Sequence, residues 1–236
     1  RWFSQLPQPF RDEVERSAVR VKFKRGKPLF RQGDPVRGLY GILSGEAQVI
    51  GTTIAGLDIL VAMHRAGEWT GFLACLDGGA HTMTVVASQP CEVLHLPLAA
   101  VQRIFLQTVE GYVLLSAPEF ATQRAVYSHV VEHLSFTPLQ RLARRLVDLA
   151  AAPHGELVTS LTISPITQDQ LALSIMSSRQ WTNRLLQQLE QANLISRGRS
   201  RIKIIDLPKL TYLAIHGESG FTLMTGQSAG DPVDPA

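Results

Sequence analysis

The sequence predicts an α+β chain built of an all-β region, a long helix and a C-terminal winged helix-turn-helix. Three observations carry that reading. Glycines from Gly26 to Gly79 punctuate short apolar runs such as Leu39-Tyr40-Gly41-Ile42-Leu43 and Leu60-Val61-Ala62-Met63, the pattern of short strands in a sandwich or barrel. From Val113 to Leu134 apolar residues recur at alternating spacings of three and four, a helical period. From Thr167 to Ile205 two capped helix starts stand close together and lead into a run in which basic and apolar residues alternate.

Composition sets the outer bounds. A length of 236 residues suits one large domain or two ordinary ones, and a hydrophobic content of 45% excludes global disorder. The net charge of +3 does not by itself imply a nucleic-acid partner. The distribution says more, because Arg179, Arg184, Arg197, Arg199, Arg201 and Lys203 stand against Glu190 alone, a local basic footprint. The two cysteines, Cys75 and Cys91, lack CxxC spacing, which excludes a disulfide scaffold and an intrachain four-cysteine cluster. No apolar run approaches membrane-spanning length and no signal-peptide pattern opens the sequence, so the expectation is a cytoplasmic protein without membrane contact.

In chain order, Trp2, Phe3, Leu6 and Phe10 precede a polar stretch to Val19, which predicts one short N-terminal helix packed on the β region. Strands occupy Val21 to Leu96. Pro97 opens a short helix, Leu98 to Leu106. In the long helix, Val113, Ala117, Phe120, Arg124, Tyr127, Val131 and Leu134 form a coiled-coil-like seam. Arg124 in that seam needs a partner, and Pro118 is expected to kink or locally open the helix. Ser135-Phe136-Thr137-Pro138 reads as a hinge before a helix from Leu139 to Ala151. Leu157 to Ile163 alternates weakly as a strand, and a short helix is expected at Leu207 to Ile215. The Gly-, Ser-, Pro- and Asp-rich tail from Gly217 reads as mobile. The expected divisions are residues 1–107, 108–137, 138–216 and 217–236.

The C-terminal region carries the chemistry. Thr167 caps a short helix with Gln170 at the capping-box position, and Ser177 stands in the same relation to Gln180. Thr182, Leu185, Leu186 and Leu189 make a stripe that must be buried. Arg179, Gln180, Asn183 and Arg184 lie on the other side, two guanidinium forks and two amides near the helix start. Arg pairs with guanine, and Asn or Gln with adenine, in the major groove. The turn between the helices lacks the glycine that usually occupies it. After Gly198 the alternating Arg201-Ile202-Lys203-Ile204 makes a basic wing, with Arg197, Arg199, Arg201 and Lys203 in reach of phosphates.

The run ITQDQLALSIMSSRQWTNRLLQQLEQANLISRGRSRIKII, with LQRLARRLVDLA before it, resembles the DNA-binding half of the Crp/Fnr superfamily (catabolite activator and fumarate-nitrate regulator). The segments GKPLFRQGDPVRGLYGILSGEAQVI and AGEWTGFLACLDGGAHTMTVVA resemble the cyclic-nucleotide-binding β-roll of the same proteins. The resemblance implies a homodimer joined along the long helix, double-stranded DNA and RNA polymerase as partners, and a small-molecule effector. It makes Arg179, Gln180 and Arg184 base-reading, and Ser178 phosphate-contacting with Thr167 and Gln168 beside it. Gln180 departs from a common Glu, and Trp181 from a common small hydroxyl residue.

By the same resemblance the effector lies near Gly71, Phe72, Leu73, His81, Thr82, Val126 and Tyr127. Members that hold a cyclic nucleotide carry a Glu for the ribose and an Arg-Ser or Arg-Thr pair for the phosphate, positions that fall here on Phe72, His81 and Thr82. The loss of a carboxylate and a guanidinium, each charged hydrogen bond contributing about 1.5–3 kcal/mol, argues for a ligand other than cyclic AMP or for none. A cyclic nucleotide in an altered pocket remains the alternative. So does haem or redox sensing, because a haem-bearing branch draws ligands near Cys75, His81 and His95. The residues themselves show no regular ligand spacing, so no cofactor or metal is expected. Asp77 and His81 come without a nucleophile or triad, so no enzyme is expected. A module of this fold that does not touch DNA is the remaining rival.

Overall fold

The computed structural model describes residues 2–150, 162–163, 166–198 and 201–225, the last eight by backbone alone. The chain divides into two compact units, Arg1–Ser128 and His129–Ala236, so the division falls inside the long helix.

The first unit runs α1 (Trp2–Gln5), α2 (Gln8–Ser17), β1 (Val19–Phe23), β2 (Pro28–Phe30), β3 (Gly38–Ser44), β4 (Glu46–Thr52), β5 (Asp58–Arg65), β6 (Trp69–Thr70), α3 (Phe72–Asp77), β7 (Thr84–Ala87), β8 (Cys91–Pro97), α4 (Leu98–Phe105) and the start of α5 (Val109–Ser135). The strands form two antiparallel sheets, ordered β1-β8-β3-β6 and β2-β7-β4-β5. Alternation along β3 and β8 gives the first sheet two buried faces. Tyr40, Ile42 and Val93 meet Phe30, Val49 and Val85 of the second sheet. Leu39 and Leu96 point the other way, into a cluster with Trp2, Trp69, Phe72 and Phe105 from the helical side. Trp2 is its hub, with ring centroids 4.9 Å from Phe72, 5.4 Å from Trp69 and 5.6 Å from Phe105.

The N-terminus departs from the single helix expected. Pro7 ends α1, because the residue before a proline is forced out of helical backbone, and then serves as the N-cap of α2. Pro118 does not open the helix, since α5 is one continuous 27-residue helix. Proline removes the N–H that would bond the carbonyl four residues back, at Leu114. The Trp2 indole Nε1 donates to that carbonyl at 2.7 Å, supplying the missing donor from outside the helix. Beyond this anchor, every α5 residue from Phe120 to Ser128 is exposed.

The second unit contains the end of α5, α6 (Pro138–Ala150), β9 (Thr162–Ile163), α7 (Gln168–Ser174), α8 (Arg179–Gln191), β10 (Ile195–Gly198), β11 (Arg201–Ile204) and α9 (Leu207–Thr225). The hinge is capped at both sides. The Arg141 guanidinium donates to the carbonyls of His133 and Phe136 at the end of α5. Thr137 Oγ1 accepts the Gln140 N–H, and Gln140 Oε1 accepts the Thr137 N–H, a capping box for α6. Leu142, Leu146 and Leu149 of α6 are fully buried. β11 pairs with β10 and β9 in a three-stranded sheet. The rest of the strand expected at Leu157 to Ile163, and Ala151, lie outside the described residues.

The helix expected at Leu207 to Ile215 forms, and helical backbone also enters the stretch expected as a tail. Gly217 breaks the helix at φ +69° and ψ −162°, and helical backbone resumes beyond it to Thr225. The apolar Phe221-Thr222-Leu223-Met224 within the Gly- and Ser-rich stretch is the signal that average composition concealed. Residues 226–236 lie outside the described residues.

Candidate functional site

The helix-turn-helix forms at the position expected. Thr167 caps α7 with the reciprocal Gln170 bonds of a capping box. The turn is closed without glycine by Met176 at φ +52°. The Met176 N–H donates to Leu173 O and the Ser177 N–H to Ala172 O, which satisfies two carbonyls at the end of α7 in a Schellman arrangement. Left-handed backbone in a residue with a Cβ costs about 1–2 kcal/mol. The cap of α8 is corrected by one residue: Ser178, not Ser177, accepts the Trp181 N–H at 3.1 Å, so Gln180 stands outside any capping box and its amide is exposed.

Thr182, Leu185, Leu186 and Leu189 are buried as expected, at 0–4% exposure, and this fixes the rotation of α8. Arg179, Gln180, Asn183 and Arg184 are thereby exposed on the opposite face. Their surroundings differ. Arg179 lies 3.6 Å from Asp169, with both side chains in solvent, an ion pair of the kind that contributes about 0–1 kcal/mol. Arg184 makes no ion pair among the described residues and lies over the Trp181 ring at 6.0 Å. Asn183 is held: its Oδ1 accepts from Gln168 Nε2 at 3.3 Å and from Arg197 Nη1 at 3.1 Å. Its amide donors alone are left to recognise a base.

In the wing, Ile195, Ile202 and Ile204 are buried while Arg201 and Lys203 are exposed, the alternation read from the sequence. Arg197 departs from its expected place as a free phosphate contact. Its Nε donates to Glu190 Oε2 at 2.7 Å and its backbone N–H to Glu190 Oε1 at 2.9 Å. That backbone donor, and then the guanidinium, hold the Glu190 carboxyl below its ordinary value. The charge pair thus ties the wing to the end of α8. A helix residue paired seven positions away across a turn follows no helical or strand period, which is why sequence reading missed it. Arg199 lies outside the described residues.

Of the positions singled out for an effector, Gly71 and His81 are brought together, a Cβ at Gly71 standing 3.7 Å from His81 Cε1. Phe72, the first residue of α3, is buried against Trp2 on the helical side of the first sheet. Gly71 precedes it at φ +100°, where a Cβ would come within 2.9 Å of the Gly38 carbonyl oxygen. His81 is buried and stacked on Phe30 at 3.7 Å between ring centroids, with no hydrogen-bond partner for Nε2. Burial lowers its pKa, so the ring is neutral near pH 7. Leu73 and Thr82 are exposed. Val126 and Tyr127 are exposed on α5, and the Tyr127 hydroxyl accepts from Gln123 one turn away, so Tyr127 does not fill a cavity within this unit. His95 stacks on Tyr40, and burial pushes the Cys75 thiol up to about 12. Among the described residues no three His, Cys, Asp or Glu side chains are placed to hold a metal ion. No described helix is long and apolar enough to cross a membrane.

Comparison with known proteins respects the same division. Residues 20–108 match the family described as "Cyclic nucleotide-binding domain", and residues 140–213 the "Crp-like helix-turn-helix domain". The "cAMP-activated global transcriptional regulator CRP" of Escherichia coli O157:H7 is 26% identical over 177 residues, 74% of this chain and 84% of that protein. The "Cyclic AMP receptor protein" of Thermus thermophilus is 26% identical over 197 residues, 81% and 86% of the two chains. The solved structure of FixK2 from Bradyrhizobium japonicum has a TM-score of 0.68 at 16% identity, over 82% of this chain and 96% of that one. A CRP-family transcriptional regulator from Thermus thermophilus has a TM-score of 0.64 at 22% identity, with the same coverage. The two structures share the fold. With a cyclic-nucleotide-binding-type β domain, a long helix and a Crp-like helix-turn-helix in sequence, the chain belongs to the Crp/Fnr superfamily of DNA-binding transcription regulators.

Proposed function

We propose that this regulator acts as a homodimer that reads a palindromic DNA site through the outer face of α8. The observation that carries this is the division of α8 into a buried stripe and an exposed set, Arg179, Gln180 and Arg184, beside the exposed Ser178 cap, Arg201 and Lys203. Base-edge contacts come from the first set and phosphate contacts from the second. Thr167, whose hydroxyl already caps α7, and Gln168, whose amide is turned to Asn183, support that face. Two-fold symmetry sets the half-sites about one turn of DNA apart.

The dimer reading rests on α5. Phe120, Tyr127, Val131 and Leu134 are 51–85% exposed, a spacing of apolar side chains that one subunit leaves without a partner. RNA polymerase is the protein partner that the family suggests.

For the β domain, the reading is an effector other than cyclic AMP held in the usual way, or none. Phe72 and His81 supply neither the carboxylate nor the guanidinium that such a ligand needs, although relatives are named for cyclic AMP. An effector would act by favouring one arrangement of the two recognition helices over another. Sedimentation of the full chain should give a dimer, and Phe120→Asp with Val131→Asp a monomer that binds a two-half-site duplex at least about tenfold more weakly. A wild-type monomer that still binds such a duplex tightly is the contrary result. Calorimetry with cyclic AMP should show no heat of binding at micromolar concentrations, and saturation there would reverse the effector reading.

A further inference from the structure

We propose that Trp181 is a positioning residue for base reading: its indole face holds the Arg184 guanidinium in the orientation from which it meets the DNA. The inference rests on the reading of Arg184 as a base contact and adds to it how that contact is prepared.

The two residues are three apart on α8, so their side chains lie on neighbouring rows of one face. The guanidinium carbon stands 6.0 Å from the ring centroid, within the reach of a cation–π contact. Two neighbouring cations are paired with carboxylates, Arg179 on the same helix with Asp169 and Arg197 in the wing with Glu190. Arg184 has no ion pair among the described residues, so the aromatic face takes the place of a carboxylate. This matters for recognition. A carboxylate partner competes with the base for the same N–H donors, whereas a ring below the guanidinium plane leaves its edge free.

The ring is partly sheltered from solvent. Trp181 is half-buried, and its Nε1 lies out of solvent without a hydrogen-bond partner. With Arg184, Leu185, Gln187, Gln188 and Gln191 it borders a hollow of about 250 Å³ along the helix. An unsatisfied indole N–H is unfavourable, so the site gains nothing from it in the free protein. The π face is what the position uses, and that sets the expectation for a phenylalanine here.

The test uses the full chain and a duplex that the wild type selects from a random pool, with dissociation constants for every single base-pair change at one salt concentration. Trp181→Ala should reduce discrimination at the same base pair as Arg184→Ala, by about three- to tenfold, and leave other positions nearly unchanged. The double variant should lose no more at that base pair than Arg184→Ala alone, because the two side chains act as one unit. Trp181→Phe should restore most of the discrimination lost in Trp181→Ala. Uniform loss at every position in Trp181→Ala, additive loss in the double variant, or no rescue by Phe would overturn the proposal while leaving Arg184 a base reader. If Arg184→Ala itself changes no base preference, the assignment beneath the proposal fails with it, and the two failures are told apart by that one variant.

Discussion

The β domain and the winged helix treat their polar positions in opposite ways. In the winged helix the buried side chains of α8 are all on one stripe, and Arg179, Gln180 and Arg184 are left in solvent. In the β domain, Phe72 and His81 are turned into the interior, packed against Trp2 and Phe30. The fold survives both treatments because it is carried by other residues. Leu39, Ile42, Val93 and Leu96 hold the first sheet on its two faces, and none of them stands at a ligand position.

The sharpest way to break this contrast is to write a carboxylate into each region. Phe72→Glu would place a charge beside Trp2 in a buried aromatic cluster and should destabilise the first unit by about 3–5 kcal/mol in denaturant unfolding. Gln180→Glu at an exposed position should change stability by less than about 0.5 kcal/mol and alter base preference instead. A Phe72→Glu protein as stable as the wild type would mean that this position opens onto solvent or a ligand cavity.

Acid should also separate the regions. Burial lowers the His64 pKa to about 4. The unfolded chain therefore takes up a proton that the folded β domain refuses, and stability falls as pH drops from 6.5 toward 4, by at most about 3 kcal/mol. His81 and His95, also lowered by burial, act in the same direction. At the end of α8, Glu190 is held below its ordinary value by the Arg197 N–H of the wing, so its contribution is present above the ordinary glutamate range and lost only as pH falls through the lowered value. Hydrogen exchange at pH 5 should show faster opening of β5 while the wing is unchanged. Equal protection in both regions at pH 7 and pH 5 would remove the distinction.

A smaller effect tests how the first unit accommodates Pro118. Trp2→Phe keeps the ring but removes the donor to Leu114 O, and should cost about 1–2 kcal/mol. Pro118→Ala restores a helical N–H for that carbonyl, so the Trp2→Phe cost should shrink in its presence. Additive behaviour in thermal unfolding would show that the indole bond does not compensate the proline. The smallest effect belongs to the turn of the helix-turn-helix. Met176→Gly relieves left-handed backbone at an exposed site and should stabilise the second unit by up to about 1 kcal/mol, offset in part by the greater freedom of glycine when unfolded. Destabilisation would assign the Met176 side chain a contact of its own.

Much of this was legible in the sequence because it depends on period and local pairing. The buried stripe of α8, the Thr167 cap and the alternation of the wing all repeat at spacings of 3.6, three or two residues. The Thr137-Pro-Leu-Gln140 box has an equally readable spacing, which a hinge reading of the same segment hides. Other features have no periodic signature. The Trp2 bond to Leu114 spans 112 residues, and the Glu190–Arg197 tie depends on how the chain turns after α8. The unbroken run of α5 through Pro118 could be foreseen only by knowing which distant donor replaces the lost N–H. Met176 shows the same limit, since a missing glycine disguised a turn whose hydrogen bonds are complete.

The most direct test of the central claim compares two cations on the selected duplex and its single base-pair variants. Arg179→Ala should cost about 1–3 kcal/mol on the preferred sequence and flatten the preference at one base pair, whereas Lys203→Ala should weaken every sequence alike and reduce the salt dependence. Equal, sequence-independent losses from both substitutions would contradict the claim that the outer face of α8 is pressed against base edges.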